Sequence, residues 1–253
     1  MFDVNIKIIS ELKSFLEICV NDSDILDVCR NSRCAFVRNR KLSFERLVLF
    51  IIKLCKNTLS AELDHFFEDE LNEPLKGCSV SAFSQQRSKL DCLFFQLWNE
   101  VLYKSFYHHG ADHIKRWRGY RIIAVDGTAI SLLSTKALSS YFGGQSNAQG
   151  SFTGAKALLH YDVLNKLFIH AHFAPYRTGE LTMAYPAIDK LEVDTIAIYD
   201  RNFCNYKMVA LHRWAEHERK FIIRGKEAIS SLLRSSKAAC RHRKYIWYPV
   251  PAQ

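Results

Sequence analysis

The spacing of apolar residues changes character once along this chain of 253 residues, and that change limits what it can fold into. From residue 3 to about residue 118, apolar side chains recur every three or four positions. Ile8, Ile9, Leu12, Phe15, Leu16 and Cys19 form one such series, and Leu47, Val48, Phe50, Ile51, Leu54 and Cys55 form another. Helices with one buried face are expected throughout this half. Ser43 before FERLVLFIIKLC, Ser60 before AELDHFFEDEL and Ser81 before AFSQQRSKL are the expected N-caps, since a hydroxyl there accepts from a first-turn amide that has no intrahelical partner. Pro74 and Gly77 separate the third helix from the fourth.

After the basic, aromatic segment HIKRWRGY at 113–120 the pattern turns to short runs of β-formers divided by polar turns. Strands are expected at 121–130, 155–162, 167–174, 195–200 and 220–224, with helices at 180–191 and 206–217. Three opening strands joined by short turns favour antiparallel pairing. The later strand–helix–strand crossovers favour parallel pairing. The expected fold class is therefore α+β or α/β: an all-helical region over 1–118, then a mixed five-stranded sheet with flanking helices over 119–226. With strand order 3-2-1-4-5 this is the arrangement of the ribonuclease-H-like fold.

Composition adds exclusions. No run reaches the roughly 18 apolar residues of a membrane span, and the N-terminal segment has acids and lysines where a signal peptide has its apolar core, so a cytoplasmic protein is expected. The eight cysteines are scattered without a CxxC pair, which points to reduced thiols, mostly in the core, and not to a disulfide framework or a zinc ribbon. A formal charge of +9 suits a polyanionic partner, and equally a solvated basic surface.

Two aspartates stand in matched contexts: Asp126 in IIAVDGTAI and Asp200 in TIAIYDRNF each follow four mostly apolar residues. That places a carboxylate at the carboxyl end of a strand, where open α/β sheets form their ligand crevices. Neighbouring strands lie about 4.8 Å apart, so on the first and fourth strands of a 3-2-1-4-5 sheet both carboxylates can reach one magnesium ion. Such a pair suits phosphoryl transfer, in which two hard cations about 3.5–4 Å apart activate the attacking oxygen and stabilise the leaving one. Either aspartate alone also fits a turn or helix cap. Asp162 in HYDVLNK fits a turn cap better than a metal ligand, and His170 with His172 lacks a third zinc ligand at recognisable spacing.

Asp126 in VDGT, YFGG at 141–144, the strand LLHYDVLNKLFIHA, Glu180 before a helix, and YDRNF at Asp200 follow one another in an order that resembles bacterial insertion-sequence transposases of the DDE type, of the insertion-sequence-4-like group. SAFSQQRSKL at 81–90 resembles that family's stretch ahead of its catalytic domain, so the likeness runs from about residue 30 to about 226. It implies that Asp126 is the first catalytic carboxylate, bridging two Mg2+ or Mn2+ ions, and that Asp200 is the second, binding one of them. The family usually has glycine where this chain has Asn202, a mild departure because asparagine tolerates positive φ.

The implied partners are double-stranded DNA at inverted-repeat element ends and at the target, with a homodimer on DNA, in a bacterial cytoplasm and associated with the nucleoid when bound. The family's third carboxylate is a glutamate on a helix beyond a β-rich insertion. No such helix is legible in the 53 residues after Asp200, and Tyr245, Trp247 and Tyr248 with Pro249 and Pro251 resemble the start of the insertion, over 227–253. The expectation is a chain truncated before that glutamate, with cleavage and strand transfer impaired. The alternatives are a non-catalytic DNA-binding remnant that occupies element ends or inhibits full-length transposase, and a stand-alone metal nuclease. For DNA contact the candidates are Gln85, Arg87 and Lys89 on the 81–90 helix, Lys115, Arg116 and Arg118 near the crevice mouth, and Arg201 beside Asp200. The basic residues from Arg219 to Lys244, interleaved with aromatics, invite the same reading.

Overall fold

Burial of the apolar stripes read above produces two units, Met1–Ala111 and Asp112–Gln253. The computed structural model describes residues 2–38, 40–53, 56–72, 77–147, 150–214 and 219–224, and the backbone of 245–246.

The first unit is helical: α1 (Phe2–Asn21), α2 (Ser23–Val28), α3 (Phe44–Ile52), α4 (Leu59–His65) continued by a π-helical turn at Phe66–Glu70, α5 (Val80–Arg87) and α6 (Leu93–His109). Its core is built on aromatic rings. Fully buried Phe94 meets Phe44 at 5.3 Å and Trp98 at 5.4 Å between ring centroids, while Phe50 meets Phe83 at 5.1 Å and Phe66 at 5.3 Å.

Ser43 caps α3 as expected, accepting from the amide of Arg46. The other two expected caps are corrected. Helix α4 starts at Leu59, ahead of Ser60, because Glu62 turns back to accept from the amides of Lys56 and Asn57 at 3.0 and 2.9 Å, and these bonds hold its carboxyl down at about 2. Helix α5 is capped by Ser79, not Ser81, with Ser79 Oγ accepting from the amide of Ala82.

The second unit carries a mixed sheet of seven strands among the described residues: β1 (Arg121–Leu132), β2 (Gly144–Asn147), β3 (Gly150–Asp162), β4 (Leu167–Pro175), β5 (Thr195–Tyr199), β6 (Lys220–Arg224) and β7 (Tyr245–Ile246). Its helices are α7 (Lys136–Phe142), α8 (Glu180–Ala184), which tightens into a 3-10 turn at Tyr185–Lys190, and α9 (Tyr206–Trp214). The expected count of five is thus corrected by β2 and β7.

Strand β1 pairs antiparallel with β3 and parallel with β5, and β5 pairs parallel with β6. Strands β2 and β4 share the outer edge of β3, and β7 adds antiparallel to β6. The five strands foreseen therefore lie in the order β4-β3-β1-β5-β6. The glycines of YFGG serve two different needs. Gly143 ends α7 at φ 71°, and Gly144 lets β2 approach β3 so closely that a Cβ there would lie 1.8 Å from the Phe152 carbonyl.

One face of the sheet is buried under α8, the 3-10 turn and α9, where Ile123, Val125, Leu158, Ala197, Tyr199 and Ile223 meet Met183, Ile188 and Met208. Two buried histidines face this layer. His212 Nδ1 donates to the Arg219 carbonyl and Nε2 accepts from the Tyr199 hydroxyl, which fixes a neutral tautomer. His160 lies 5.6 Å from His170, ring to ring, and Lys190 stands 3.3 Å from His170 Nε2.

Burial first, then neighbouring positive charge, lowers His160 to about 4, and burial likewise lowers His212 to about 4. An unfolded histidine titrates near 6.5, so between about pH 6.5 and 4 the unfolded chain binds more protons than the folded one. This stability is complete above pH 6.5 and is lost as pH falls, by on the order of 3 kcal/mol for each histidine. Urea unfolding at pH 7, 5.5 and 4.5 measures the loss, and His160→Phe should make the profile flatter than that of the unmodified chain.

Candidate active site

Parallel pairing sets Val125 beside Tyr199 at the last matched position of β1 and β5, and both side chains enter the buried layer. Side chains alternate along an extended strand, so the next residues, Asp126 and Asp200, turn together to the opposite face. Asp200 keeps the alternation because its backbone is still extended, at φ −74° and ψ 177°. Both aspartates are exposed, on neighbouring strands, at the level where β5 ends.

One expectation changes here. Strand β1 continues to Leu132, so Asp126 lies mid-strand, and it is β5 that ends at this point. The extension follows from β3, which stays paired with β1 as far as Leu132 opposite Thr153.

Neither carboxylate is tied up by the fold. Asp126 Oδ1 accepts from the amide of Gly127 at 2.9 Å, and Asp200 Oδ1 accepts from the amide of Asn202 at 2.8 Å, capping the turn Arg201–Phe203. Among the described residues no cation pairs with either, and the second oxygen of each has no protein partner. Among those residues, no group of three or more His, Cys, Asp or Glu side chains converges as a metal cage.

Glu180 approaches the site from the other side of the sheet. Its carboxylate stands 3.4 Å from Lys156 Nζ, and its stem fills the space where a Cβ on Gly127 would be, 2.5 Å from Glu180 Cγ and Cδ. Gly127 shares the buried face with Val125, so Glu180 packs behind Asp126 and does not join it on the exposed face. Sequence reading placed Glu180 before a helix but could not assign it a face. A cavity of about 320 Å³ on this side is lined by Lys156, Tyr176, Glu180, Asn202 and Phe203 among others.

Asp162 is fully buried and caps a turn: its Oδ1 accepts from the amides of Leu164 and Asn165 at 3.1 and 3.0 Å. Arg201 is exposed directly after Asp200. Lys115, Arg116 and Arg118, expected near the crevice mouth, instead precede the start of β1, five residues before Asp126. There Arg116 is paired with Asp194 at 2.6 Å and Arg118 stacks on Trp117 at 4.9 Å. Gln85 and Arg87 are exposed on α5, with Arg87 5.6 Å from the Phe83 ring, and Lys89 follows the helix half-buried. Of the basic stretch 219–244, only residues 219–224 fall among the described residues, and Trp247, Tyr248, Pro249 and Pro251 lie outside them.

No helix among the described residues is long and apolar enough to cross a membrane. A mixed sheet that presents one aspartate on β1 and another directly after β5 on one open face defines a carboxylate-bearing α/β domain. The family model described as "Transposase DDE domain" matches residues 117–248, which is more than half of the chain and contains both aspartates, and the chain belongs to that family. Among solved structures it is similar to a piggyBac transposase synaptic complex with hairpin DNA, at 13% identity and a TM-score of 0.40, over 77% of this chain and 44% of that one. This chain therefore spans less than half the length of that relative. No curated protein gives a significant match.

The packing of Glu180 on Gly127 gives a direct test. Gly127→Ala should cost about 1–3 kcal/mol of unfolding free energy, because the new methyl displaces Glu180 from Lys156. In a Glu180→Ala background the same change should cost far less, and chemical denaturation of the four proteins measures the coupling.

Proposed function

We propose that this chain carries the first two catalytic carboxylates of a cut-and-paste DDE transposase of the bacterial insertion-sequence-4-like kind, on a ribonuclease-H-like core. The strand order β4-β3-β1-β5-β6 supports that fold. The observation that carries the functional reading is the pair Asp126 and Asp200: adjacent strands, one face, both exposed, each with an oxygen that has no protein partner among the described residues. Hard divalent cations take oxygen ligands of this kind, so the donor set fits Mg2+ or Mn2+.

Asp126 would hold both ions and Asp200 one of them. Bound divalent ions would supply an activated water and charge stabilisation for phosphodiester cleavage and strand transfer. Asp200 also fixes the turn that presents Arg201, a candidate phosphate contact. A third carboxylate has to come from outside the described residues or from a second copy of the chain in a DNA-bound homodimer. The substrate is duplex DNA at the element's inverted-repeat ends and at the target.

The convergence of only two carboxylates among the described residues favours a second reading, a protein that occupies element ends without cutting. Nicking of supercoiled plasmid with Mn2+, combined with calorimetric titration of Mn2+, separates the two. Asp126→Ala should lower both Mn2+ affinity and nicking by at least about 100-fold, the loss expected when a ligand itself is removed and not merely its supporting shell. Mn2+ binding without nicking selects the second reading. Equal binding and nicking by both proteins removes Asp126 from the site.

A further inference from the structure

Residues 1–111 hold 14 lysine and arginine residues against 15 aspartate and glutamate residues, a formal charge of −1, so composition alone gives the helical unit no attraction for a polyanion. Its cations are nonetheless gathered. From Cys29 to Phe44 the chain carries Arg30, Arg33, Arg38, Arg40 and Lys41 and no acid.

Arg30 turns inward to Asp27 and the Ala35 carbonyl, and Arg33 also reaches Asp27, at 3.2 Å. The remaining three stay available. Two cavities of about 500 Å³ each lie between this segment and α5, one lined by Arg38, Arg40 and Lys89 among others, the next by Arg40, Lys41, Gln85 and Lys89. They share Arg40, Gln86 and Lys89 and so form one trough, and among the described residues no acidic side chain lines it.

The trough is held in shape from below. Gln86, buried, donates to the Leu42 carbonyl at 2.8 Å, which joins α5 to the basic segment. Lys41 Nζ donates to the Gly77 carbonyl at 3.0 Å, and the Lys89 ammonium donates to Gln86 Oε1. Neutral oxygens thus position both lysines without cancelling their charge. Arg38 and Arg40 are exposed and make no ion pair among the described residues.

We infer that this trough seats the phosphate backbone of duplex DNA, through Arg38, Arg40, Lys41 and Lys89. Point charges along a concave wall suit phosphates, whereas single strands are gripped by stacking on exposed rings. The trough offers no exposed ring among the described residues: Phe36, in its lining, is half-buried and packs edge-on against Phe44 at 5.3 Å, and Phe83 is buried against Phe50 at 5.1 Å. Of the α5 residues, Gln85 lines the trough but Arg87 does not, so phosphate contact and not groove reading is the role assigned here.

The identity of the polyanion rests on the transposase reading above, while the trough itself does not depend on the metal site. Fluorescence anisotropy with a 20-base-pair duplex, measured on the full chain from 50 to 300 mM KCl, gives the slope of log affinity against log salt. Each phosphate contact adds about −0.9 to that slope, so Arg38→Gln/Arg40→Gln should reduce its magnitude by about 1.8 and weaken binding more than tenfold at 100 mM. Lys7→Gln/Lys13→Gln, which removes two exposed charges of α1, should change neither by more than a few tenths.

A second readout needs no affinity. Duplex DNA should slow alkylation of Cys34, exposed in the trough, and leave exposed Cys92 unchanged. An unchanged slope in the arginine variant with unprotected Cys34 would overturn the trough. Equal or tighter binding of single strands or RNA would overturn the choice of duplex. Asp126→Ala, by contrast, should abolish Mn2+ binding and leave the salt slope intact, so failure of the metal reading and failure of the trough are separately visible.

Discussion

The parallel pairing of β1 with β5 is the contact on which the second unit depends. These two strands lie in the middle of the sheet, and every other strand joins through one of them, directly or by way of β3 or β6. Their register puts Val125 and Tyr199 side by side beneath the helical layer, where Tyr199 also anchors His212 of α9. A slip of one residue would turn Tyr199 outward and bring Asp200 into an apolar layer. The cost of burying that carboxylate fixes the register as firmly as the gain from burying the ring. The same alternation that fills the core therefore delivers the two aspartates to one open face.

Much of this was legible in the sequence because it depends on local pattern. The apolar runs 121–125 and 195–199 gave the central strands, and the matched aspartates that follow them gave their common face. The senses of pairing followed from turn and crossover lengths, and the order 3-2-1-4-5 came with the ribonuclease-H-like arrangement. What was missed depends on contacts distant in sequence. Strand β1 carries on to Leu132, two residues beyond the expected 121–130, because β3 continues to pair with it. Strand β2 forms because Gly143 takes a positive φ and Gly144 tolerates the approach of Phe152. Helix α4 starts early because Glu62 reaches back to Lys56 and Asn57, a bond invisible to a rule that looks for hydroxyls. Arg116 was read as a crevice residue from its charge, but its partner Asp194 lies 78 positions away and holds it before the start of β1.

Charge is divided between the units in a way that total charge conceals. Residues 112–253 carry 21 basic and 11 acidic side chains, a formal +10, while the helical unit is close to neutral. A binding surface in the first unit can therefore arise only by segregation, which makes the acid-free run from Cys29 to Phe44 more informative than the +9 of the whole chain. In the second unit most of the excess lies in residues 219–253, where nine basic side chains face one acid, while ahead of them Arg116, Arg121 and Lys156 pair with Asp194, Glu192 and Glu180.

The fold gains little from Asp126. Its one described hydrogen bond is to the amide of its own neighbour, it packs against no buried cluster, and it stands on the strand next to Asp200. Asp162 shows what a structural aspartate in this sheet looks like: fully buried, with both oxygens accepting hydrogen bonds. Judged against that residue, Asp126 and Asp200 each keep an oxygen without a protein partner among the described residues, which is what the proposed metal site asks of them.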